Sequence, residues 1–506
     1  MSSSTTFNFA PIFDFDENLL LMSDSYKITH PRQYPKGTKK IISYLESRGG
    51  MFNATVMYGL NYLIKKYLVG EVVTMEKIDD AEQFWNAHFG KKVFPRAAWE
   101  RIINVHNGHL PVRIKAVLEG TVVGTRNVLV LIESLDDELP WLTNYLETLI
   151  VEVWYPITVA TLSREIKLVF YQLFKDATSY SDDKIFEIID FQLHDFGIRG
   201  ASSPQSAAWG GSAHLLNFKG TDNAMAIRLA QKWYNTREML GFSVNASEHS
   251  TITSWGKENE AKAYKNMLEI YPDGIFACVS DSYDIENAVK NIWMGDELKP
   301  LILNRDGRVV IRLDSGSAKV TIKVIFDILW EKAGGHINEK GFRVLNEKIR
   351  LLQGDGVNYS SIIDIAMMMN KEKISPENLV FGMGGALLQK IDRDTQKFAF
   401  KCCALYKEVE GKLTMVEVSK SPIEFDDDGN RVVSFKKSKS GNLKLVRTDK
   451  TLERDVYKTV SSHDPEFEDS LDELVTVFEM GKLIKDYRFE EIRERARIVP
   501  ALCQHS

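Results

Sequence analysis

The stretch LHDFGIRG, Leu193 to Gly200, sets an imidazole, a carboxylate, an aromatic face and a guanidinium (His194, Asp195, Phe196 and Arg199) at one turn of chain. A second chemical cluster is VVIRLDSG. With the two-residue period of a strand, Val310, Arg312 and Asp314 share one face and Ile311 and Leu313 the other. A charged pair at the end of such a strand either meets a polar ligand or closes the strand as an internal ion pair. A third is FGMGGALLQK, where Gly382, Gly384 and Gly385 precede a helix-like run. Glycines let a backbone approach phosphate closely, and a tight strand-to-helix turn would use them equally well. Arg393 follows and can add a bidentate contact. No Gly-Lys-Ser/Thr follows, so this is not a Walker A loop, and Leu387 occupies the third-glycine position of a dinucleotide fingerprint.

Asp222, Asp281, Asp284, Asp314 and Asp355 fall in the same kind of segment. Carboxylates gathered at one mouth repel unless a cation or a donor-rich ligand joins them, and magnesium with a phosphorylated sugar would serve. Helix N-capping is the competing reading for Asp281 and Asp284. His249 follows Glu248 and stands between Ser247 and Ser250. A carboxylate partner would fix its tautomer and leave the other ring nitrogen nucleophilic. His194 lacks such a setting and reads as structural. Phe196 and Tyr26, core residues by default, would make a slot for a flat ring if exposed.

The elements that carry these residues are short apolar runs ending in polar or glycine-rich tips. Between about 190 and 390 they are FQLHDFGIRG, LLNFKGTDN, FSVNASEHST, FACVSDSYD, VVIRLDSG, IRLLQGDG and LVFGMGGAL, several followed by helical patterns such as AMAIRLAQKWY. Buried strands alternating with helices predict a parallel sheet, and this many tips favour a β/α barrel, whose site gathers at the C-terminal ends of its strands. The first 160 residues mix helix and strand patterns, with a long helical region interrupted near Pro156. After 400 the pattern turns β-like and charged. The predicted division is an α+β domain from 1–160 with 400–506, and a catalytic barrel over 161–399.

A chain of 506 residues with 44% hydrophobic and 26% charged residues is an ordinary soluble globular composition. The net charge of −6 argues against a nucleic-acid surface. Cys278, Cys402, Cys403 and Cys503 form no Cys-x-x-Cys pair and predict reduced thiols. There is no secretory signal pattern and no apolar run of membrane-helix length, so a cytoplasmic protein without a membrane segment is expected.

Taken together, SDSYKITH, LHDFGIRG, NFKGTD, EHSTITSWGKE, VSDSYDI, IRLDSG, LQGDGV and FGMGGALLQK occur in the order, and nearly the spacing, of the nicotinamide phosphoribosyltransferase family. YGLNYLIKKYL, GHLPVRIKAV and WYPITVATLSRE extend the resemblance to almost the whole chain. The resemblance implies a type II phosphoribosyltransferase fold, an irregular β/α barrel with a second α+β domain, assembled as a homodimer with shared active sites. It implies transfer of phosphoribosyl from 5-phosphoribosyl 1-pyrophosphate to nicotinamide, with magnesium as cofactor and ATP as co-substrate.

By the same resemblance, Phe196 stacks on the nicotinamide ring and Tyr26 of the partner subunit covers its other face. Asp222 accepts from the amide nitrogen and Arg312 donates to its oxygen. Arg199, Arg393, Gly384 and Gly385 lie near phosphate, and Asp314 and Gly354 near the ribose. Asp281 and Asp314 lie near magnesium, through water, and His249 becomes a phosphohistidine oriented by Glu248 or Asp281. Asp24, Val310, Leu352 and Asp355 complete the expected binding set. Arg48, Lys401, Lys437 and Lys439 are expected phosphate contacts, in part from the partner subunit. The chain departs from the family pattern at Ile198, where Tyr is usual, at Asn245 and Leu313, where Pro is usual, and at Met383, where a small residue is usual. Met383 would narrow the phosphate turn. Three other readings remain open at this level: a nicotinate phosphoribosyltransferase, a Schiff-base aldolase using Lys219 as a strand-tip nucleophile, and a non-catalytic barrel kept for binding.

Overall fold

The computed structural model describes residues 14–425, 428–433, 438–451 and 453–500; Lys437 and Cys503 lie outside them. The chain first forms β1 (Thr38–Ser47), β2 (Val112–Ala116) and β3 (Val128–Ser134). Seven parallel strands follow: β4 (Leu193–Asp195), β5 (Gly220–Thr221), β6 (Asn245–Ala246), β7 (Asp273–Val279), β8 (Asp306–Leu313), β9 (Ile349–Gln353) and β10 (Leu379–Met383). It then adds β11 (Phe398–Val409), β12 (Lys412–Glu417), β13 (Val475–Glu479) and β14 (Lys482–Leu483).

The early and late strands combine in one antiparallel sheet, in the order β12-β11-β1-β3-β2-β13-β14. The parallel strands make a second sheet in the order β5-β4-β10-β9-β8-β7-β6. In that order the last strand returns to the first: Phe381, Gly382 and Met383 pair with Leu193, His194 and Asp195. The remaining seam, between β5 and β6, is bridged at Phe242. Its N–H donates to the Lys219 carbonyl at 2.7 Å and its carbonyl accepts from Thr221 N at 3.0 Å. The result is an irregular rolled β/α sheet, with all seven expected tips at the C-terminal ends of its strands.

Alternation along the strands divides two apolar surfaces. Val309, Ile311 and Leu313 of β8 join the main core between the sheet and its helices. Ala277, Val310 and Leu352 form a separate small cluster with Phe196 and Val380. Burial of each such aliphatic side chain is worth about 1.5–3 kcal/mol, so the register of β8 is strongly specified. The long helix Trp154–Ala177 packs on the sheet, where Phe170 stacks on Phe381 of β10 at 5.4 Å. The expected break at Pro156 lies earlier, between helices Glu147–Val151 and Trp154–Ala177. Pro156 falls in the first turn of the second helix, where a missing N–H leaves no bond unmade. No described helix is long and apolar enough to cross a membrane.

At the N-terminal end of the sheet, the Nζ of buried Lys167 donates to Asp190 Oδ1 at 2.5 Å and to the Asn217 carbonyl. Burial lowers the pKa of this lysine, opposed by Asp190. Asp190 is partly buried, which alone would raise its pKa, yet Lys167 and Lys219 hold it below the usual range. Lys219 pairs with Asp190 Oδ2 at 2.8 Å and precedes β5 instead of following it. The expectation of Lys219 as a strand-tip nucleophile is therefore corrected: the amine is ion-paired at the end of the sheet opposite the tips.

Asp190→Asn should cost about 3–5 kcal/mol, because it strands the buried Lys167 charge. Denaturant unfolding measures this, and a loss below about 1 kcal/mol would show the pair is not structural.

Candidate active site

The β8 tip organises the mouth. Arg312 donates to its own strand's Asp314 through Nε (3.3 Å to Oδ1) and Nη2 (3.1 and 3.0 Å to Oδ1 and Oδ2). Both are only 15% exposed at the side chain, so the pair is shielded but reachable. Gly354, after β9, lies against it: a Cβ there would collide with Asp314 Oδ1 and stand 3.0 Å from Arg312 Nε. The Gly354 N–H donates to the Leu313 carbonyl at 3.0 Å, which holds that approach in place.

Asp281, after β7, accepts from Asp314 N at 3.2 Å and contacts His249 Nε2 at 3.0 Å. His249 Nδ1 stands 4.0 Å from Asp314 Oδ2, and the ring is about half exposed. Asp281 is therefore no helix cap, whereas Asp284 is one, accepting from Asn287 N at 3.0 Å. Glu248 does not reach the imidazole by any hydrogen bond the structure shows. Its carboxylate accepts from the Ser250 hydroxyl, and its N–H donates to Thr251 Oγ1 at 3.3 Å, at the start of helix His249–Thr253. Of the two carboxylates expected to orient His249, Asp281 is the one in contact.

Phe196 follows β4, its N–H donating to the Met383 carbonyl at 3.0 Å. Its ring lies across Gly382, where any Cβ would overlap Cε2 and Cδ2. The ring also meets the Ala277, Val310 and Leu352 cluster, and the Arg312 guanidinium carbon is 5.6 Å from its centroid. Gly382 thus makes room for an aromatic ring and is not part of a phosphate turn. Met383, one residue on, is buried in the main core, so it does not narrow that turn.

Asp222 follows β5. Its N–H donates to the Asp195 carbonyl at 3.1 Å, and its exposed carboxylate accepts from Ser243 Oγ at 2.5 Å. Arg199 lies exposed in the turn Ile198–Gly200, and a Cβ on Gly200 would stand 3.1 Å from Gly385 Cα, so this turn abuts the Gly384–Gly385 turn. Asp355 is exposed, its carbonyl accepting from Gln353 Nε2 at 2.8 Å. His194 is structural in its contacts: its ring covers Gly220 of the adjacent strand, and burial lowers its pKa.

A second group of expected residues gathers elsewhere. Asp24, Arg48, Arg393 and Lys401 line a cavity of ≈ 530 Å³ with Glu147 and Phe400. Burial lowers the Lys401 pKa, and Arg48 and Arg393 push in the same direction. Arg48 Nε bonds Glu46 at 3.0 Å, while its buried Nη2 has no hydrogen-bond partner among the described residues. Lys439 pairs with Glu46 as well. Asp24 Oδ2 accepts from Thr148 Oγ1 at 2.7 Å. Tyr26 is 58% exposed, with its ring against His30 at 4.9 Å. Within one chain these residues and the mouth are separate clusters.

Two supporting residues escaped the sequence reading. Asn223 and Ser243 bond Asp195 and Asp222, and only the pairing of β4 with β5 and the Phe242 bridge bring them there. Gly382 did carry a signal, since a glycine inside a strand marks close approach.

Among the described residues no three His, Cys, Asp or Glu side chains form a metal-binding group. Asp281 and Asp314 fit a magnesium ion only if phosphate and water supply most of its ligands.

A family model described as the nicotinate phosphoribosyltransferase (NAPRTase) family matches residues 191–456, and one described as the nicotinamide phosphoribosyltransferase N-terminal domain matches 18–114. The chain is 44% identical over 484 residues to the nicotinamide phosphoribosyltransferase of Xanthomonas campestris pv. campestris, covering 95% of this chain and 98% of that one. It is 31% identical over 516 residues to the protein of the same name from Acinetobacter baylyi, with 95% and 97% covered. Two solved structures share its fold. Nicotinate-nucleotide pyrophosphorylase from Pyrococcus furiosus has a TM-score of 0.56 at 15% identity, covering 97% of both chains. Human nicotinic acid phosphoribosyltransferase has a TM-score of 0.52 at 15% identity, covering 94% and 92%.

Gly382→Ala should expel the Phe196 ring and destabilise the fold by about 1–3 kcal/mol. A crystal structure of the variant with the ring unmoved would contradict that reading of Gly382.

Proposed function

The chain belongs to the nicotinamide phosphoribosyltransferase family, and from that premise we propose that it joins nicotinamide to 5-phosphoribosyl 1-pyrophosphate, giving nicotinamide mononucleotide and pyrophosphate and returning nicotinamide to the NAD pool. One observation carries this reading: an aromatic ring, a guanidinium and an exposed carboxylate meet at one barrel mouth, over an apolar floor of Val310 and Leu352. They complement one face of a pyridine ring and both ends of its carboxamide. Phe196 supports the ring, Arg312 donates to the amide oxygen and Asp222 accepts from its NH2. The carboxylate of nicotinate would meet Asp222 as a like charge, so selectivity includes a repulsive element.

The reaction forms a bond from the pyridine nitrogen to ribose C1 and breaks the bond from C1 to the pyrophosphate oxygen. Positive charge develops on the sugar and negative charge on the leaving group. Positioning and electrostatics supply the catalysis, and no proton needs to move at C1. Asp314, fixed by Arg312 and packed against Gly354, stands ready to accept from ribose hydroxyls. Arg199 and the Gly384–Gly385 backbone take the phosphate end. A magnesium ion bound beside Asp281 and Asp314 would neutralise charge on the pyrophosphate.

ATP coupling falls to His249. If its Nε2–H donates to Asp281, Nδ1 keeps its lone pair and is the nucleophile toward the γ-phosphorus of ATP, with ADP leaving. The half-exposed ring supports access. The active unit is a cytoplasmic homodimer in which the cluster of Asp24, Tyr26, Arg48, Arg393, Lys401 and Lys439 of one subunit completes the mouth of the other.

Asp222→Ser should raise the nicotinamide KM at least 10-fold and relax the exclusion of nicotinate; unchanged selectivity in steady-state assays would sink the assignment. His249→Ala should abolish ATP hydrolysis while slow uncoupled synthesis persists. Full stimulation by ATP in that variant would remove the phosphohistidine.

A further inference from the structure

Asp195 and Ser243 have no part in the bond changes at C1, yet both hold groups assigned above to gripping the ring and its amide. Asp195 is fully buried. Its Oδ1 accepts from Gly197 N at 2.7 Å, closing the turn that carries Phe196. Its Oδ2 accepts from Asn223 Nδ2 at 3.0 Å, and its carbonyl accepts from Asp222 N at 3.1 Å. Asn223, also buried, donates to the Ala207 carbonyl at 2.8 Å and, through its N–H, to Thr221 Oγ1 at 2.9 Å. The residue before Phe196 is thereby tied to the residue after Asp222. A Cβ on Gly211 would strike both partners, so the link is enclosed. Burial pushes the Asp195 pKa up to about 6, and the hydrogen bonds from Gly197 and Asn223 oppose that shift.

Asp222 needs a different restraint, because its side chain is exposed. Ser243 Oγ holds Oδ1 at 2.5 Å, which leaves Oδ2 as the acceptor for an amide N–H. The serine is itself pinned: Phe242 on one side bridges to β5, and Asn245 and Ala246 on the other pair with β7. A carboxylate already held in one rotamer loses less entropy when it binds.

We propose that Asp195 and Ser243 are the positioning residues of the nicotinamide slot, Asp195 fixing the backbone that carries Phe196 and Asp222, and Ser243 fixing the Asp222 carboxylate. This rests on Asp222 being the amide acceptor.

Steady-state kinetics on the full chain test it. Ser243→Ala should raise the nicotinamide KM by about 5- to 10-fold, while kcat and the KM for phosphoribosyl pyrophosphate change less than about 2-fold; Ser243→Thr, which keeps the hydroxyl, should restore it. Asp195→Asn can still accept from Gly197 but turns an N–H toward Asn223, and should raise the same KM about 10-fold. In an Asp222→Ser background, Ser243→Ala should add nothing. Ser243 is exposed, so its variants report even if Asp195→Asn folds poorly. An unchanged nicotinamide KM in Ser243→Ala, with Asp222→Ser still impaired, overturns the positioning role and leaves the amide acceptor standing. An unchanged KM in Asp222→Ser overturns both.

Discussion

The return of β10 onto β4 is the constraint on which the rest of the molecule depends. Three residue pairs, Phe381 with Leu193, Gly382 with His194 and Met383 with Asp195, bring the last parallel strand beside the first. Parallel pairing gives every strand one direction, so seven chain segments spread over almost two hundred residues end at one rim. Side-chain alternation then sorts what each strand sends outward to the helices and inward to the mouth. Without the return, Phe196 and Gly382 would not meet, and the aromatic floor of the slot would not exist.

The mouth that results is densely charged but internally balanced. Asp314 is neutralised by Arg312 from its own strand, and Asp281 is shared between a backbone N–H and His249. A site built this way is ordered before anything binds, which suits a reaction whose barrier is lowered by geometry and fixed charge. Its cations are divided: Arg312 and Arg199 stand at the mouth, while Arg48, Arg393 and Lys401 line a separate cavity. Arg48 keeps a buried Nη2 with no hydrogen-bond partner among the described residues, and Tyr26 stands exposed; in the dimer proposed above, a second copy would complete this surface.

The sequence was readable where chemistry follows from local period. The inward face of VVIRLDSG and the seven strand tips came from spacing and residue type. It was unreadable where partners are distant in sequence. Nothing local tells Asp281 from Asp284 as a cap, because the difference lies in Asp314 N and His249, some thirty residues away on each side. Glu248 is next to His249 in the chain, yet it turns back to Ser250 at its own helix start. Lys219 reads as a tip only until Asp190 shows which end of β5 it occupies. Gly382 looked like one of three phosphate glycines, and only its pairing with His194 sets it beneath a ring.

The central claim is that this mouth grips a pyridine carboxamide and aims its nitrogen at an activated pentose. The most direct measurement is a mass spectrum of the products after the protein is mixed with equal nicotinamide and nicotinate, phosphoribosyl pyrophosphate, magnesium and ATP. The account predicts the nicotinamide mononucleotide mass with little of the acid counterpart. Nicotinate mononucleotide as the main product, or neither nucleotide, would contradict it.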